Sequence, residues 1–366
     1  MPQPGWADTF KLRRNRMIAS PRFQRAILRL PLLRGFAQKR AARLFETING
    51  YVQAQAVLAA VELGLFEMLL DCPADVAEIA ARGDLPDEAA DRLMKALAAS
   101  GFVERLGDGR WTLGEQGAAF VATPGLAAMV LHHRAFYADL ADPVALLRRG
   151  GGGGALAAFW NYDALRPADA QAWSALMAAT QPMVAEQIIG AHDFGRHRHL
   201  LDIGGGTGRF AEAVARAVPG LHLSLFDLPP VADAAAARLA EAGLAGRIAI
   251  HRGSFLDDPL PAGADIITLV RVLHDHDDSA ALALLRSIAA ALPPGGTLLI
   301  AEPMAGEKGF ESMGDGYFGF YLFAMGSGRP RTSKEIAAML KSAGFKQVRR
   351  VATPMPLTVS MLVARR

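Results

Sequence analysis

The chain has 366 residues and a formal net charge of +3, and its apolar content is sufficient for two hydrophobic cores. No run of about 18 apolar residues occurs, so we expect no membrane-spanning helix, and the basic N-terminus lacks the features of a secretory signal. A single cysteine, Cys72, excludes an intrachain disulfide. These features predict a protein of the reducing cytoplasm.

Positive charge is concentrated in residues 1–43, which predict a basic amphipathic arm. The segment contains eleven of the 39 Lys and Arg residues but one acid, Asp8. Large apolar side chains lie between the cations, and Pro21 and Pro31 should interrupt any helix. The arm can contact an anionic membrane surface, or it can pack on a partner subunit. We favour the membrane interpretation and expect no nucleic-acid partner.

Residues 44–120 predict a small all-α, winged-helix-like domain. Residues 73–105 have the pattern of two helices joined by a turn, and a hairpin with its turn at Asp108-Gly109 follows. A winged helix can bind DNA, which leaves a DNA-binding cofactor sensor as an alternative function. However, acids begin the helix that would enter the groove: Asp87, Glu88 and Asp91. Because acids repel phosphate, we expect this domain to form a homodimer instead.

Residues 121–190 predict a helical linker and the helices of a substrate pocket, interrupted by five glycines at 150–154 that we interpret as a flexible link. Residues 191–366 alternate between strands and helices. The predicted strands are 199–203, 221–226, 247–251, 264–270, 296–302, 346–352 and 357–364. Five β–α units followed by two closing strands predict a Rossmann-like, doubly wound sheet, whose ligands lie at the carboxyl ends of the strands.

The first of these strands ends in a glycine-rich turn that leads into a helix. Asp202 is followed by glycines at alternating positions: Gly204, Gly206 and Gly208. Such a turn lets backbone N–H groups and the positive helix end approach a polar ligand. Arg209 occupies the third glycine position of the dinucleotide fingerprint, and the Lys-Ser/Thr pair of a Walker loop is absent. The pattern resembles the S-adenosylmethionine loop of class I methyltransferases.

Polar residues also end the second and third strands. Asp227 can accept hydrogen bonds from both ribose hydroxyls, or it can cap the helix that begins after Leu228. Gly253, Ser254 and Phe255 end the third strand, where an adenine ring would lie. Ser254 can hydrogen-bond to the ring and Phe255 can pack on it, although either can simply terminate the strand.

The fourth strand ends in a polar cluster that begins at Arg271 and contains His274. A neutral imidazole accepts a proton at physiological pH, so His274 is a candidate general base. Glu302, at the end of the fifth strand, can orient the imidazole and stabilise its charged form. A buried structural histidine is the alternative. We expect no metal, because Asp277, Asp278 and Ser279 suit helix capping and no second ligand cluster follows.

Residues 44–366 resemble the family of small-molecule O-methyltransferases that includes plant caffeate and flavonoid enzymes and bacterial tailoring enzymes. The motifs that carry the resemblance are Leu201–Gly208, Phe226–Pro229, Gly253–Phe255, Val272–Asp275, Leu292–Gly296, Ala301–Pro303 and Arg329–Glu335. The resemblance implies a homodimer that uses S-adenosyl-L-methionine and releases S-adenosyl-L-homocysteine. It implies that His274 and Glu302 are catalytic.

The resemblance also implies a set of cofactor-binding residues: Asp202, Gly204, Gly206, Gly208, Asp227, Leu228, Gly253, Ser254, Phe255 and Arg271. The chain departs from the family pattern at three positions. Ser254 stands where the family commonly has an acid, His276 replaces a tryptophan, and Pro330 replaces a second glutamate. These departures affect the details of the site more than the family resemblance.

The segment after the fifth strand is rich in Met and aromatic residues: Met313, Tyr317, Phe318, Phe320, Tyr321, Phe323 and Met325. Such side chains can line an apolar channel for a long polyene, or they can form an ordinary core helix. The whole chain is similar to the hydroxycarotenoid-methylating branch of the family, which implies transfer to the tertiary 1-hydroxyl of an acyclic hydroxycarotenoid. A bacteriochlorophyll precursor methylated at carbon, a polyketide or a phenol is the alternative substrate.

Overall fold

A computed structural model describes residues 5–160, 167–355 and 358–366, with only the backbone of residues 167–178. Parts of three expected segments lie outside the described residues: positions 1–4 of the arm, 161–166 of the helical segment, and residue 357 of the last strand. The chain divides into two compact units, Met1–Ala118 and Ala119–Arg366.

The first unit is mainly helical and contains one hairpin. Its elements are α1 (Trp6–Ala19), α2 (Pro21–Arg29), α3 (Pro31–Glu62), α4 (Leu65–Asp71), α5 (Val76–Gly83), α6 (Asp87–Ala99), β1 (Val103–Arg105) and β2 (Trp111–Leu113). Pro21 and Pro31 each occupy the first turn of a helix, where the missing N–H costs nothing. α3 continues without a break through residue 43, so the arm and the following domain share a helix.

The winged-helix pattern is present in this unit. Asp75 caps α5 through a reciprocal capping box with Glu78. β1 and β2 form an antiparallel hairpin. In α6, Arg92 and Lys95 form ion pairs with acids one helical turn away, at Glu88 and Asp91. The cations that could contact phosphate on this helix are therefore already paired.

No described helix is by itself long and apolar enough to cross a bilayer, although α3 and α4 together, bent by 67°, pass a test of length and composition.

The second unit is an α/β domain, which α7 (Glu115–Ala122) enters. Its further helices are α8 (Leu126–Leu140), α9 (Pro143–Arg148), α10 (Ala155–Phe159), α11 (Pro167–Ala191), α12 (Arg209–Ala217), α13 (Pro229–Glu241), α14 (Asp278–Ala291), α15 (Gly319–Met325) and α16 (Ser333–Ser342). Its strands are β3 (His199–Ile203), β4 (His222–Asp227), β5 (Ile248–Arg252), β6 (Ile266–Val270), β7 (Thr297–Glu302), β8 (Lys346–Val351) and β9 (Ser360–Arg365).

The seven strands form one mixed sheet in the order β5-β4-β3-β6-β7-β9-β8, in which β9 pairs antiparallel with both of its neighbours. Central strands are buried on both faces, which explains their continuous apolar runs: Leu201 packs in one core cluster and Leu200 in the other. The strand order reverses between β3 and β6. Such a reversal creates a crevice at the carboxyl ends of the two strands.

One sequence interpretation is wrong: the domain does not contain five β–α units. Residues 253–265 connect β5 to β6 without a helix, and Pro259 and Pro261 lie in this connection. Closely spaced prolines remove backbone donors and restrict the preceding residues, so a helix cannot form there.

The glycine run at 150–154 is packed at its centre and is not the flexible link that its composition suggests. Gly151 and Gly152 have positive φ values of 89° and 60°, and the Gly152 N–H donates to the Phe323 carbonyl at 3.0 Å. A Cβ on Gly151 would lie 2.4 Å from that carbonyl oxygen. The run therefore allows the chain to approach the end of α15 closely.

We predict that Gly151→Ala destabilises the protein more than Gly153→Ala. Both glycines have positive φ, but a Cβ at position 153 meets no atom within 4 Å. The shared backbone strain cancels in the comparison, and the clash with Phe323 should cost about 1–3 kcal/mol more at position 151. Denaturant unfolding followed by circular dichroism measures the difference; equal midpoints would contradict the packing described for this run.

Candidate active site

A cavity of about 320 Å³ lies at the carboxyl ends of β3, β4 and β6. Of the residues predicted to bind a cofactor, eight line it: Asp202, Gly204, Gly206, Asp227, Leu228, Ser254, Phe255 and Arg271. Gly208 and Gly253 do not line it; a Cβ on Gly208 would lie 2.9 Å from Leu239, and one on Gly253 would lie 2.8 Å from Phe226. His274 and Glu302 do not line it, although Asp275 and His276 do.

The glycine turn has the left-handed backbone that its composition predicts. Gly204, Gly206 and Gly208 have φ values of 66°, 56° and 77°. A Cβ on Gly204 would lie 2.7 Å from Val272 Cγ2, whereas a Cβ on Gly206 would meet no protein atom within 4 Å. Gly204 therefore permits close packing inside the protein, and Gly206 keeps the backbone accessible from the cavity.

Asp202 lies buried beneath this turn. Its Oδ1 accepts a hydrogen bond from the Thr268 hydroxyl at 2.7 Å, and its Oδ2 has no hydrogen-bond partner among the described residues. Burial raises the pKa of Asp202 to about 7, against the opposing effect of Thr268. An unpartnered buried carboxylate oxygen at the cavity wall is suited to a ligand that brings a hydrogen-bond donor or a positive charge.

Asp227 holds the turn to the end of β4. Its two carboxylate oxygens accept the backbone N–H groups of Gly206 at 2.8 Å and Leu228 at 2.7 Å. Burial raises the pKa of Asp227 to about 6, and these two hydrogen bonds partly offset that rise. Each oxygen retains a lone pair, so the carboxylate can also accept from the two hydroxyls of a ribose.

The predicted adenine side of the cavity contains an aromatic pair. The Phe255 ring lies 5.1 Å from the His276 ring at an angle of 84°. The Ser254 side chain is hydrogen-bonded within its own turn: its hydroxyl donates to Asp257 Oδ2 at 2.8 Å. His276 thus supplies a ring where the family has an indole, and Asp257 supplies a carboxylate near the position that Ser254 leaves without one.

Arg271 lies at the end of β6 with a φ of 58°, which is unusual for a non-glycine residue. Its guanidinium donates to Thr180 Oγ1 at 2.8 Å, and burial lowers its pKa while nearby Asp275 opposes that effect. Strained backbone conformations concentrate at functional sites. Arg271 is also one of the residues that line the cavity.

His274 is 6% exposed and lies between two carboxylates. Its Nε2 is 3.1 Å from Asp275 Oδ1, and its Nδ1 is 3.9 Å from Glu302 Oε2. Burial alone would lower the pKa of His274, but the charges of Asp275 and Glu302 outweigh it and raise the pKa above its ordinary value. The imidazolium is therefore stabilised in place.

Glu302 contacts His274 in a different way from the one expected. Its Oε2 accepts the backbone N–H of His274 at 3.1 Å, whereas the ring nitrogen Nδ1 lies beyond hydrogen-bond distance. Burial raises the pKa of Glu302, and the neighbouring positive charges oppose the rise. In this structure Glu302 binds the backbone of His274, and Asp275 is the carboxylate nearest the imidazole ring.

An aromatic cluster meets the other side of His274. The Phe318 ring lies 5.9 Å from the imidazole, and Phe318 is followed by Tyr321, which is buried. Both belong to a π-helical turn (Ser312–Phe318) and the adjoining α15. The other rings of the cluster are His132, His133, Phe136, Phe159, Trp160 and Tyr317. Phe320, by contrast, is exposed.

The polar groups of this cluster satisfy one another. Trp160 Nε1 donates to the Tyr321 hydroxyl at 2.6 Å, and that hydroxyl lies 2.6 Å from His132 Nε2. His133 Nε2 lies 2.8 Å from the Tyr317 hydroxyl. Burial, with a contribution from His133, lowers the pKa of His132 to about 4. The cluster is therefore uncharged at neutral pH and can contact an apolar molecule.

Sequence reasoning missed several residues at the site. Asp275 was given no role of its own, but its Oδ1 lies 3.1 Å from His274 Nε2. Thr268 and Thr180 are ordinary residues in the sequence, and only the packing shows that they hold Asp202 and Arg271. The adjacency of Asp275 to His274 was the one available signal; the threonines come from distant segments and gave none.

The cavity fits S-adenosylmethionine by its own chemistry. Gly206 leaves a space that a side chain would fill, Asp227 can hold a diol, and Asp202 Oδ2 is a buried acceptor without a partner among the described residues. The cofactor carries a diol and an ammonium group that match the two carboxylates. In the described parts of the chain, no cluster of three or more His, Cys, Asp or Glu side chains could hold a metal.

Comparison with known families and proteins agrees with this arrangement. Residues 137–346 match a profile described as the O-methyltransferase domain, and residues 45–123 match the O-methyltransferase dimerisation domain, which indicates a homodimer. The chain is 43% identical over 354 residues to demethylspheroidene O-methyltransferase of Cereibacter sphaeroides, covering 95% of this chain and 93% of the relative.

Solved structures show the same fold. PigF bound to S-adenosylhomocysteine has a TM-score of 0.73 at 27% identity, covering 89% of this chain and 99% of that one. The mitomycin 7-O-methyltransferase MmcR has a TM-score of 0.75 at 27% identity, covering 90% and 100%. The sheet order and the N-terminal helical unit are thus those of class I methyltransferases with a dimerisation domain. The chain belongs to the family of S-adenosylmethionine-dependent O-methyltransferases.

Proposed function

We propose that this enzyme methylates the tertiary hydroxyl of a hydrophobic, carotenoid-type alcohol, with His274 as the general base. One observation carries the proposal. The His274 imidazole contacts Asp275, which lines the cofactor cavity, and the Phe318 ring, which belongs to the apolar cluster. A hydroxyl presented from the cluster would meet the base beside the cofactor.

His274 and the two carboxylates beside it can remove the proton of the substrate hydroxyl. Bound S-adenosylmethionine supplies an electrophilic methyl group on sulfur. A tertiary alcohol is too weak an acid to ionise first, so His274 would take its proton as the methyl–sulfur bond breaks and the C–O bond forms, which would leave neutral S-adenosylhomocysteine. Asp275 and Glu302 stabilise the resulting imidazolium. Holding the hydroxyl about 3 Å from the methyl carbon supplies much of the rate.

The apolar cluster supports a long, uncharged substrate. Its histidines pair with tyrosine hydroxyls and are neutral, so no charge has to be offset by the substrate. The demethylspheroidene O-methyltransferase relative supports a carotenoid in particular. A structural neighbour is named for a different substrate, mitomycin, and a phenol or polyketide is our second candidate. A tetrapyrrole precursor and a DNA-binding sensor remain the less supported alternatives. Turnover of a hydroxycarotenoid, but not of a phenol, distinguishes the two leading candidates.

The exposed arm supports contact between the enzyme and the membrane that would contain such a substrate. The enzyme we propose is cytoplasmic and peripheral to that membrane. No described residue of α1 or α2 is buried. Trp6 is 86% exposed and Phe10 63% exposed, and helical spacing places them with Arg13 and Met17 on one face of α1. Aromatic residues and cations on an exposed helix are typical of binding at an anionic lipid surface.

We predict that His274→Ala lowers the turnover number about 10²–10⁴-fold, because proton removal by a positioned base contributes that much. Binding of S-adenosylhomocysteine, measured by calorimetry, should change little. His222→Ala, at an exposed position at the start of β4, is the matched control and should retain turnover. Full activity of His274→Ala would show that another group is the base.

We predict that Gly206→Val weakens S-adenosylhomocysteine binding at least about a hundredfold, because a side chain there occupies the space the backbone leaves for the ligand. Gly243→Val is the control: its φ is also positive, at 73°, and its Cβ also meets no atom within 4 Å. Both variants have the same class of backbone strain. Unchanged calorimetric binding by Gly206→Val would contradict the assignment of the loop.

We predict that the arm binds vesicles containing phosphatidylglycerol and not vesicles of phosphatidylcholine alone. Replacing Arg13, Arg14 and Arg16 with Glu should weaken co-sedimentation roughly a hundredfold, since each cation contributes about 1 kcal/mol. Replacing the exposed Arg286, Lys341 and Lys346 with Glu changes the net charge equally and should have a smaller effect. If the wild type ignores both vesicles, the arm packs on a protein surface instead.

A further inference from the structure

A five-residue segment after α15 contacts the turn that carries His274. This clamp segment, residues 327–331, hydrogen-bonds to every residue of the base turn, residues 273–278. Its donors contact the Leu273, His274, Asp275 and His276 carbonyls and the Asp277 and Asp278 carboxylates. The two segments are about 50 positions apart in the chain, so only the fold brings them together.

Arg331 makes the central contacts. It is fully buried, at 0% exposure. Its guanidinium donates to the Leu273 carbonyl at 2.9 Å, the His276 carbonyl at 2.7 Å and Asp278 Oδ1 at 2.8 Å. These acceptors stand on both sides of His274. A planar guanidinium holds several acceptors at fixed angles, which an ammonium group cannot do.

The remaining contacts secure the turn between these points. The Arg329 N–H donates to the His274 carbonyl at 2.9 Å, and the Ser327 hydroxyl donates to the Asp275 carbonyl at 2.9 Å. A Cβ on Gly328 would lie 2.1 Å from the His274 carbonyl oxygen, so only glycine permits this approach. Both His274 and Asp275, whose carboxylate lies 3.1 Å from the His274 ring, are therefore held through their backbones.

We infer that Arg331 is a positioning residue for catalysis: through the clamp segment it fixes the His274 ring between Asp275 and Glu302. The inference rests on the proposed role of His274. It also accounts for Pro330, which stands where a second glutamate would bracket the base in the family pattern. In the family pattern a second glutamate would orient the base. In this chain, hydrogen-bond donors of the clamp segment orient it by binding the backbone of the base turn.

Arg331→Lys tests this inference, because it retains the buried charge and removes the fork of donors. We expect turnover to fall about 10–100-fold while the Kd for S-adenosylhomocysteine stays within twofold of the wild type. Arg350→Lys is the matched control, since Arg350 forms an ion pair with the buried Glu307 on another part of the domain. It should retain wild-type turnover. Ser327→Ala, which removes one half-buried hydroxyl, should lower turnover about 3–10-fold.

The pKa of His274 provides a readout that does not depend on the substrate. The charged and titratable groups that face the ring are Asp275, Glu302, Arg271 and His276. If Arg331 holds the ring between the two carboxylates, Arg331→Lys should move the His274 pKa downward, toward its ordinary value. The base acts when deprotonated, so the acidic limb of the pH–rate profile should move to lower pH. NMR of protein with labelled histidine rings measures this shift, with the signal assigned through His274→Gln.

Folded Arg331→Lys protein with unchanged turnover and an unchanged His274 pKa would overturn the inference. Should Arg331→Lys not fold, Ser327→Ala decides by the same two measurements. Failure of the proposed function gives a different pattern, in which His274→Ala remains active or the wild type does not methylate the hydroxycarotenoid. In that case the NMR titration still reports whether the clamp segment positions the ring.

Discussion

The close approach of Gly204 to Val272 is the constraint on which the site depends. A Cβ on Gly204 would lie 2.7 Å from Val272 Cγ2. The glycine turn can therefore approach Val272 this closely only because residue 204 has no side chain. Val272 immediately precedes the turn that holds His274. The two functions of the site, holding the cofactor and removing a proton, are joined by this contact at the point where the strand order of the sheet reverses.

Burial of charged groups is the second organising feature. Asp202, Asp227, His274, Glu302 and Arg331 are all buried, and charges out of water are costly unless they are paired or hydrogen-bonded. They are held in four ways: Asp202 by a hydroxyl, Asp227 and Glu302 by backbone donors, His274 by the carboxylate of Asp275, and Arg331 by carbonyls and a carboxylate. Asp202 Oδ2, which has no partner among the described residues, could accept a hydrogen bond from a ligand, and His274, whose pKa is raised, could hold a transferred proton.

Much of the fold could be predicted because it depends on short-range patterns. The first strand of the predicted sheet matches its predicted range, and the other six begin within three residues of theirs. For the central parallel strands the reason is burial on both faces, which requires continuous apolar runs. Pro21 and Pro31 mark helix starts for a local reason, the missing N–H. The β5–β6 connection and the glycine run were misinterpreted. In the first, the alternation of strands and helices was extended over a segment in which prolines prevent a helix. In the second, composition alone does not show what packs against a glycine.

The sequence by itself determined where the strands, the glycine turn and the polar strand ends lie, because apolar periodicity and glycine conformation are properties of neighbouring residues. The sequence also predicted that His274 and Glu302 lie near each other, because they follow the fourth and fifth predicted strands. Only the tertiary structure decided that Asp275, not Glu302, is the carboxylate nearest the imidazole, at 3.1 Å, and that Arg331 hydrogen-bonds to the turn on both sides of it. Side-chain orientation depends on contacts between segments far apart in the chain, and no local pattern records them.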